Sequence, residues 1–266
     1  MSTPESPPPP VLAVDTLPEP RKALLPALLF AVLSALAAWG VGQLAAERFS
    51  YSIATSGGMP SGAEIAKQNA AFAQSQAQRA AVVFATLAGL LTMSLGVLGG
   101  WSRSNRNAAI RCGVLGLVLG AAVAGGLSLA IFPGYLLGYS PDGDDLTRPF
   151  LYFGGLWGVV GLVAGAVFGL AQGGGTPRIV RSAIGGAVGG VLGGVLIQVI
   201  GGVAFPLDKV IEPFPVEGIT QATGVWSRLV ARLLAALPIA LGVTGLHSPP
   251  APVVAPPVDR TQPDVV

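Results

Sequence analysis

The sequence predicts an all-α, polytopic integral membrane protein with six glycine-rich transmembrane helices. Three observations carry that reading. First, the chain is 52% hydrophobic and 11% charged, with a mean hydropathy of +0.67. Soluble domains carry roughly 25% charged residues. Second, six apolar stretches approach or exceed the ~20 residues that cross ~30 Å of hydrocarbon. Third, the 38 glycines fall mostly inside those stretches, which is a membrane pattern rather than a mark of disorder.

The elements follow in order. Residues 1–22 are rich in proline, serine and glutamate, with four consecutive prolines from Pro7, and read as a disordered cytoplasmic tail. The membrane domain covers 23–247, and a second proline-rich cytoplasmic tail covers 248–266. The apolar spans are 23–43, 80–101, 110–132, 150–172, 182–205 and 225–246. The first follows Arg21 and Lys22, as a signal peptide would. Its length and the long proline-rich segment before it favour an uncleaved anchor. The sixth carries Arg228 and Arg232 in its first half.

Charge sets the expected topology. The link between the second and third spans carries Arg103, Arg106 and Arg111 without an acid. The link between the fourth and fifth carries Arg178 and Arg181, again without one. Short basic links stay cytoplasmic, so both termini are expected inside. Asp142, Asp144 and Asp145 then lie outside, as do Asp208, Glu212 and Glu217. The compositional bias towards alanine, glycine and proline suggests a bacterium, hence its inner membrane.

The first external link contains Ser61 followed by Glu64, the pattern of a capping box. Helix-forming residues then run to Arg79. The expectation is a water-facing helical extension over 61–79, about 25 Å long, continuous with the second span. Ile65 and Phe72, one heptad apart, could mark a contact stripe on it.

Spans two and three resemble spans four and five at an offset of about 70 residues. Phe84 matches Phe153; Gly89, Gly96 and Gly100 match Gly158, Gly165 and Gly169; Gly116 and Gly120 match Gly186 and Gly190. The reading is a tandem two-helix repeat, set against chance matches in glycine-rich sequence. Within the spans, Gly161, Gly165 and Gly169 share one face. The fifth span has two adjacent rows, Gly185, Gly189, Gly193 and Gly186, Gly190, Gly194. In lipid, helices gain by close backbone approach, which glycine permits. The fifth span should therefore touch two helices and be the central one.

Residues able to carry chemistry are sparse. One cysteine, Cys112, excludes an intrachain disulfide. It reads as a packing residue, although Arg111 beside it could activate the thiol. One histidine, His247, stands at a helix end. Asp142, Asp144 and Asp145 offer oxygen ligands for a hard cation but lack the spacing of a calcium loop, so a solvated acidic turn is expected. No carboxylate lies inside a span, which argues against proton- or sodium-coupled transport. Gln198 is expected to bridge helices by a hydrogen bond, with a permeation-path ligand as the alternative. Arg228 and Arg232, on one face, are expected to snorkel to the outer headgroups, with a buried functional arginine as the alternative. The net charge of +2 gives no nucleic-acid footprint. Neither a cofactor motif nor a nucleophile–base pair is visible, so an enzyme is not expected. Two classes remain: a non-enzymatic membrane scaffold or interaction protein, and a small passive transporter or channel. The partners implied are the bilayer and a second copy or another membrane protein.

Cysteine accessibility tests the topology in a Cys112→Ser background. A cysteine at Ser104 should react only from the cytoplasmic side and one at Ser140 only from outside. The reverse pattern would sink the assignment.

Overall fold

The structure is a computed structural model and describes residues 21–49, 61–137, 147–173, 175–204 and 225–245. Six helices account for nearly all of them: α1 (Arg21–Arg48), α2 (Gly62–Trp101), α3 (Arg106–Leu137), α4 (Thr147–Ala171), α5 (Gly175–Ala204) and α6 (Val225–Gly245). All six are long and apolar enough to cross a bilayer. The protein is an all-helical, polytopic membrane protein.

Local sequence sets the helix ends. At the start of α2 the Ser61 N–H donates to Glu64 Oε2 at 2.7 Å, and the Glu64 N–H donates to Ser61 Oγ at 3.3 Å. These bonds satisfy two N–H groups that the first turn would leave bare. They also hold the Glu64 carboxyl below its usual 4.5, the backbone bond to Ser61 contributing most. Between α2 and α3, Ser104 takes a left-handed φ of 54°, and Asn105 Oδ1 caps α3 by accepting from the Ala108 N–H at 2.9 Å. Beyond the end of α4 stands Gly173, whose left-handed φ of +59° glycine adopts without the steric cost of a Cβ. The Arg103 guanidinium lies over that glycine, so the two turns meet. We call this the turn end of the bundle and the opposite one the extension end.

The helices form two layers. α2, α4 and α6 touch one another, whereas α1, α3 and α5 make no mutual contact among the described residues. Each outer helix bridges two inner ones: α3 bridges α2 and α4, α5 bridges α4 and α6, and α1 bridges α6 and α2. The contact pattern is that of a pseudo-threefold bundle. Side-chain size follows the layers. The largest fully buried side chains are Trp157, Phe153 and Phe168 of α4, Phe84, Leu87, Leu91, Leu95 and Val83 of α2, and Arg232 and Ile239 of α6, with Ile197 alone from an outer helix. α5 does touch two helices, but the centre belongs to α2, α4 and α6. The bulky side chains that fill an axis are on them, and the glycine rows of α5 sit on its flanks.

The hairpins α2–α3 and α4–α5 share more than composition. A Cβ at Gly96 would lie 2.6 Å from the Cys112 carbonyl oxygen, and one at Gly165 would strike the carbonyl of Ser182. Gly116 faces the Thr92 carbonyl as Gly186 faces that of Gly161. Gly120 faces Ala88 as Gly190 faces Trp157, and Gly100 faces Ala109 as Gly169 faces Ile179. Chance glycine matches would not carry the facing residue along at the same offset.

The helical extension is present but stands free over less length than 61–79. Ala73 and Ala77 are buried in one cluster with Ala45 of α1, against which Phe49 also packs. Residues 62–72, about 16 Å of helix, are mostly exposed, including Ile65, while Phe72 is half-buried.

A paired substitution tests whether the glycines are required by packing. Gly190→Ala places a methyl against the Trp157 carbonyl and should cost about 1–3 kcal/mol of stability. Gly126 has nothing within 4 Å of a Cβ, so Gly126→Ala should be neutral or stabilise by about 0.5–1 kcal/mol. Thermal unfolding in detergent decides, and equal responses at both sites would contradict the packing argument.

Candidate functional site: glycine seams and buried polar groups

The glycines of α5 divide between two partners. Gly186, Gly190 and Gly194 face Gly161, Trp157 and Phe153 of α4. Gly189 faces the Pro238 carbonyl of α6, a Cβ at Gly193 would lie 2.7 Å from the Leu234 carbonyl oxygen, and Gly242 of α6 faces Gly185. Gly161, Gly165 and Gly169 of α4 meet Gly186, Ser182 and Ile179 in return. Such approach brings carbonyl oxygens over glycine Cα–H groups, the geometry of weak Cα–H···O contacts. α1 achieves its approach with alanine: Ala27, Ala31, Ala35, Ala38 and Ala45 are all buried. That row was not singled out in the sequence, because alanine in an apolar helix is no signal by itself.

Most buried hydroxyls are spent on their own helices. Ser34, Ser94, Ser128, Ser182 and Thr244 donate to carbonyls one turn back: Phe30 at 2.8 Å, Leu90 at 2.7 Å, Ala124 at 2.6 Å, Arg178 at 2.9 Å and Ala240 at 2.7 Å. Thr92 Oγ1 and Trp157 Nε1 are buried and lack a hydrogen-bond partner. Gln198 is buried and lies one turn beyond Gly194 on the α4-facing row of α5. It matches Ser128 in the other hairpin at the repeat offset.

Arg232, expected to snorkel along the lipid face, is covered by neighbouring helices instead. It is 2% exposed and sits inside the bundle. Its Nη1 donates to the Arg228 carbonyl at 2.8 Å. Its Nη2 fills the space a Cβ would take at Gly42 of α1, beside Val83 of α2. Side-chain direction explains the difference: the face shared with Arg228 points between α1 and α2 rather than at lipid. Gly42 as a notch for a guanidinium is a feature that sequence reasoning missed, because nothing local to α1 marks it.

Aromatic rings gather towards the extension end. Phe84 meets Trp157 edge-on at 5.2 Å and Phe132 at 5.8 Å between centroids. Phe132 meets Phe153 at 5.7 Å, and Tyr135 meets Tyr152 at 4.9 Å. This cluster joins α2, α3 and α4; its repeat-related pair, Phe84 and Phe153, stood out in the sequence, as did Phe132, which with Pro133 closes the first copy as Phe205 and Pro206 close the second, whereas Tyr135 and Tyr152 did not.

The remaining candidates are placed as follows. Cys112 is buried and packs with Val167 and Ala171. Asp142, Asp144, Asp145 and His247 lie outside the described residues. Among the described residues no group of three metal-ligating side chains comes together. No known family, curated protein or solved structure matches the chain.

The orphaned Thr92 hydroxyl yields a test. Thr92→Val keeps the shape and removes a buried polar atom without a partner, so stability should be unchanged or rise by about 1 kcal/mol. A loss of stability, or a change in any activity the protein displays, would show that the hydroxyl has a ligand.

Proposed function

We propose that this protein is a non-enzymatic membrane scaffold or interaction protein of the bacterial inner membrane, with both termini cytoplasmic. The observation that carries the reading is the filling of the bundle axis by Phe84, Leu87, Leu91, Leu95, Trp157, Phe168 and Ile239. A solute route needs polar groups along it, since a bare hydrocarbon gap dewets. Here the buried hydroxyls of five residues are directed to their own backbones. The basic residues of the turn end, Arg103, Arg106, Arg111, Arg178 and Arg181, support its placement on the cytoplasmic side. The free stretch of α2 and the proline-rich termini are the segments offered to a partner, either another membrane protein or a second copy of this chain.

Reconstitution tests this against a small passive transporter. Proteoliposomes should take up no solute in response to an imposed proton or sodium gradient. Passive leak should equal that of empty liposomes and stay there in Gln198→Leu. Uptake that follows the pH gradient, or a flux abolished by Gln198→Leu, would overturn the scaffold reading.

A further inference from the structure

We propose that the turn end of the bundle binds anionic phospholipid headgroups at two equivalent sites, one at Arg111 of α3 and one at Arg181 of α5.

The two arginines hold the same place in the two hairpins. They are 70 residues apart, the offset of the repeat. Each directly precedes a buried residue whose carbonyl meets a glycine of the partner helix: Cys112 at Gly96 and Ser182 at Gly165. That seam fixes the roll of each helix about its axis. The arginine then stands about 100° round from the seam, and both arginines are exposed.

The face that continues from each arginine also repeats. On α3, Val118, Ala122 and Leu129 follow Arg111 at 7, 11 and 18 residues, and on α5, Val188, Leu192 and Val199 follow Arg181 at the same spacings. Such spacings return to one side of an α-helix. All six residues are exposed. On helices long and apolar enough to cross a bilayer, this face meets lipid. A headgroup held by the arginine would lay its acyl chains along the row. A soluble acidic partner would leave the row unused, which favours a lipid.

Depth points the same way. Arg111 lies five residues beyond the start of α3 and Arg181 six beyond that of α5, about 7–9 Å along the helix. Side chains lean towards the N-terminus of their helix, and an arginine stem on an apolar surface extends its head to water. Both guanidinium groups therefore reach the headgroup level at the turn end. Their planar forks suit the oxygens of a phosphate.

Charge agrees when the whole chain is counted. Among the described residues the acids are Glu47 and Glu64, both near the extension end, so neither arginine has a described acid within reach. The two tails join the bundle at the turn end. α6 finishes there, with Gly242 facing Gly185, and α1 starts there, since Gly42, late in α1, meets Arg232, early in α6. Counted with both tails, this end carries eight basic residues against five acids, Glu5, Asp15, Glu19, Asp259 and Asp264. The excess stays positive even if every tail acid is paired. The rest of the chain has seven basic residues against eight acids, so an anionic surface is attracted to the turn end alone.

The whole chain in neutral detergent tests the sites. Phosphatidylglycerol and phosphatidylcholine with the same acyl chains are titrated separately, with bound lipid read by native mass spectrometry and folding by thermal unfolding. Phosphatidylglycerol should bind in preference, and the preference should weaken in salt. In Arg111→Gln/Arg181→Gln its affinity should fall about five-fold, one headgroup attraction being lost at each site. Arg111→Lys/Arg181→Lys should keep most of the affinity, since the charge remains. Lys67→Gln, at the extension end, should bind as the parent does. Equal binding of the two lipids by the parent overturns the proposal and leaves the arginines to the acids of the tails. A glutamine double variant that unfolds at the parent's temperature and keeps its affinity overturns it too, as does an equal loss in Lys67→Gln.

Discussion

Backbone-to-backbone approach at the glycine positions is the constraint on which the architecture depends. Lipid chains are as apolar as leucine, so hiding side chains from lipid contributes little to helix association. What remains is dispersion and weak polar contact, and both weaken steeply with distance. Gly161 and Gly186 meet so that each faces the carbonyl of the other. At that point neither helix can accept even a methyl group without moving. The same relation recurs along α2–α3, where Gly96, Gly116 and Gly120 face carbonyls of the partner helix. Close seams hold the hairpins; the hairpins then present their larger side chains to the centre.

That division of labour explains the layers. Outer helices carry small rows and leave their bulky residues facing lipid, as with Val114, Val118 and Leu129 on α3. Inner helices carry the rings and leucines that fill the axis. α5 needs two rows because it is sealed to both neighbours, α4 and α6. α3 needs only the row facing α2, since its contact with α4 is made by side chains, Phe132 on Phe153 and Cys112 on Val167. Proline fits the same scheme. Pro238 has no N–H to give to the Leu234 carbonyl, and Gly193 of α5 comes to that carbonyl at 2.7 Å from a Cβ position.

Much of this was legible in the sequence, for identifiable reasons. The spans are long and apolar, the capping box at Ser61 and Glu64 is local, and the four-residue spacing of Gly186, Gly190 and Gly194 defines a face whatever it meets. Features that depend on a partner were not legible. Spacing showed that α5 has two rows, but not that α4 and α6, rather than α5, hold the centre. Arg228 and Arg232 share a face, yet periodicity does not say whether that face meets lipid or a notch in α1. The extension looked free to Arg79 because nothing in Ala73 or Ala77 announces that Ala45 will cover them.

The departures from pseudo-threefold order then gain meaning. Along the helices of the two glycine-sealed hairpins, the seam positions meet carbonyls or small apolar side chains of the neighbour, such as Val97 at Gly113 and Val191 at Gly158. The third unit pairs α6 with α1 and relies on alanine. Its notch at Gly42 is filled by a guanidinium instead. A side chain there must carry its charge into the bundle, a cost of a few kcal/mol that the fold would avoid with leucine. The unit that breaks the pattern is thus the one that takes a guanidinium between its helices. It lies towards the end from which the exposed stretch 62–72 of α2 projects.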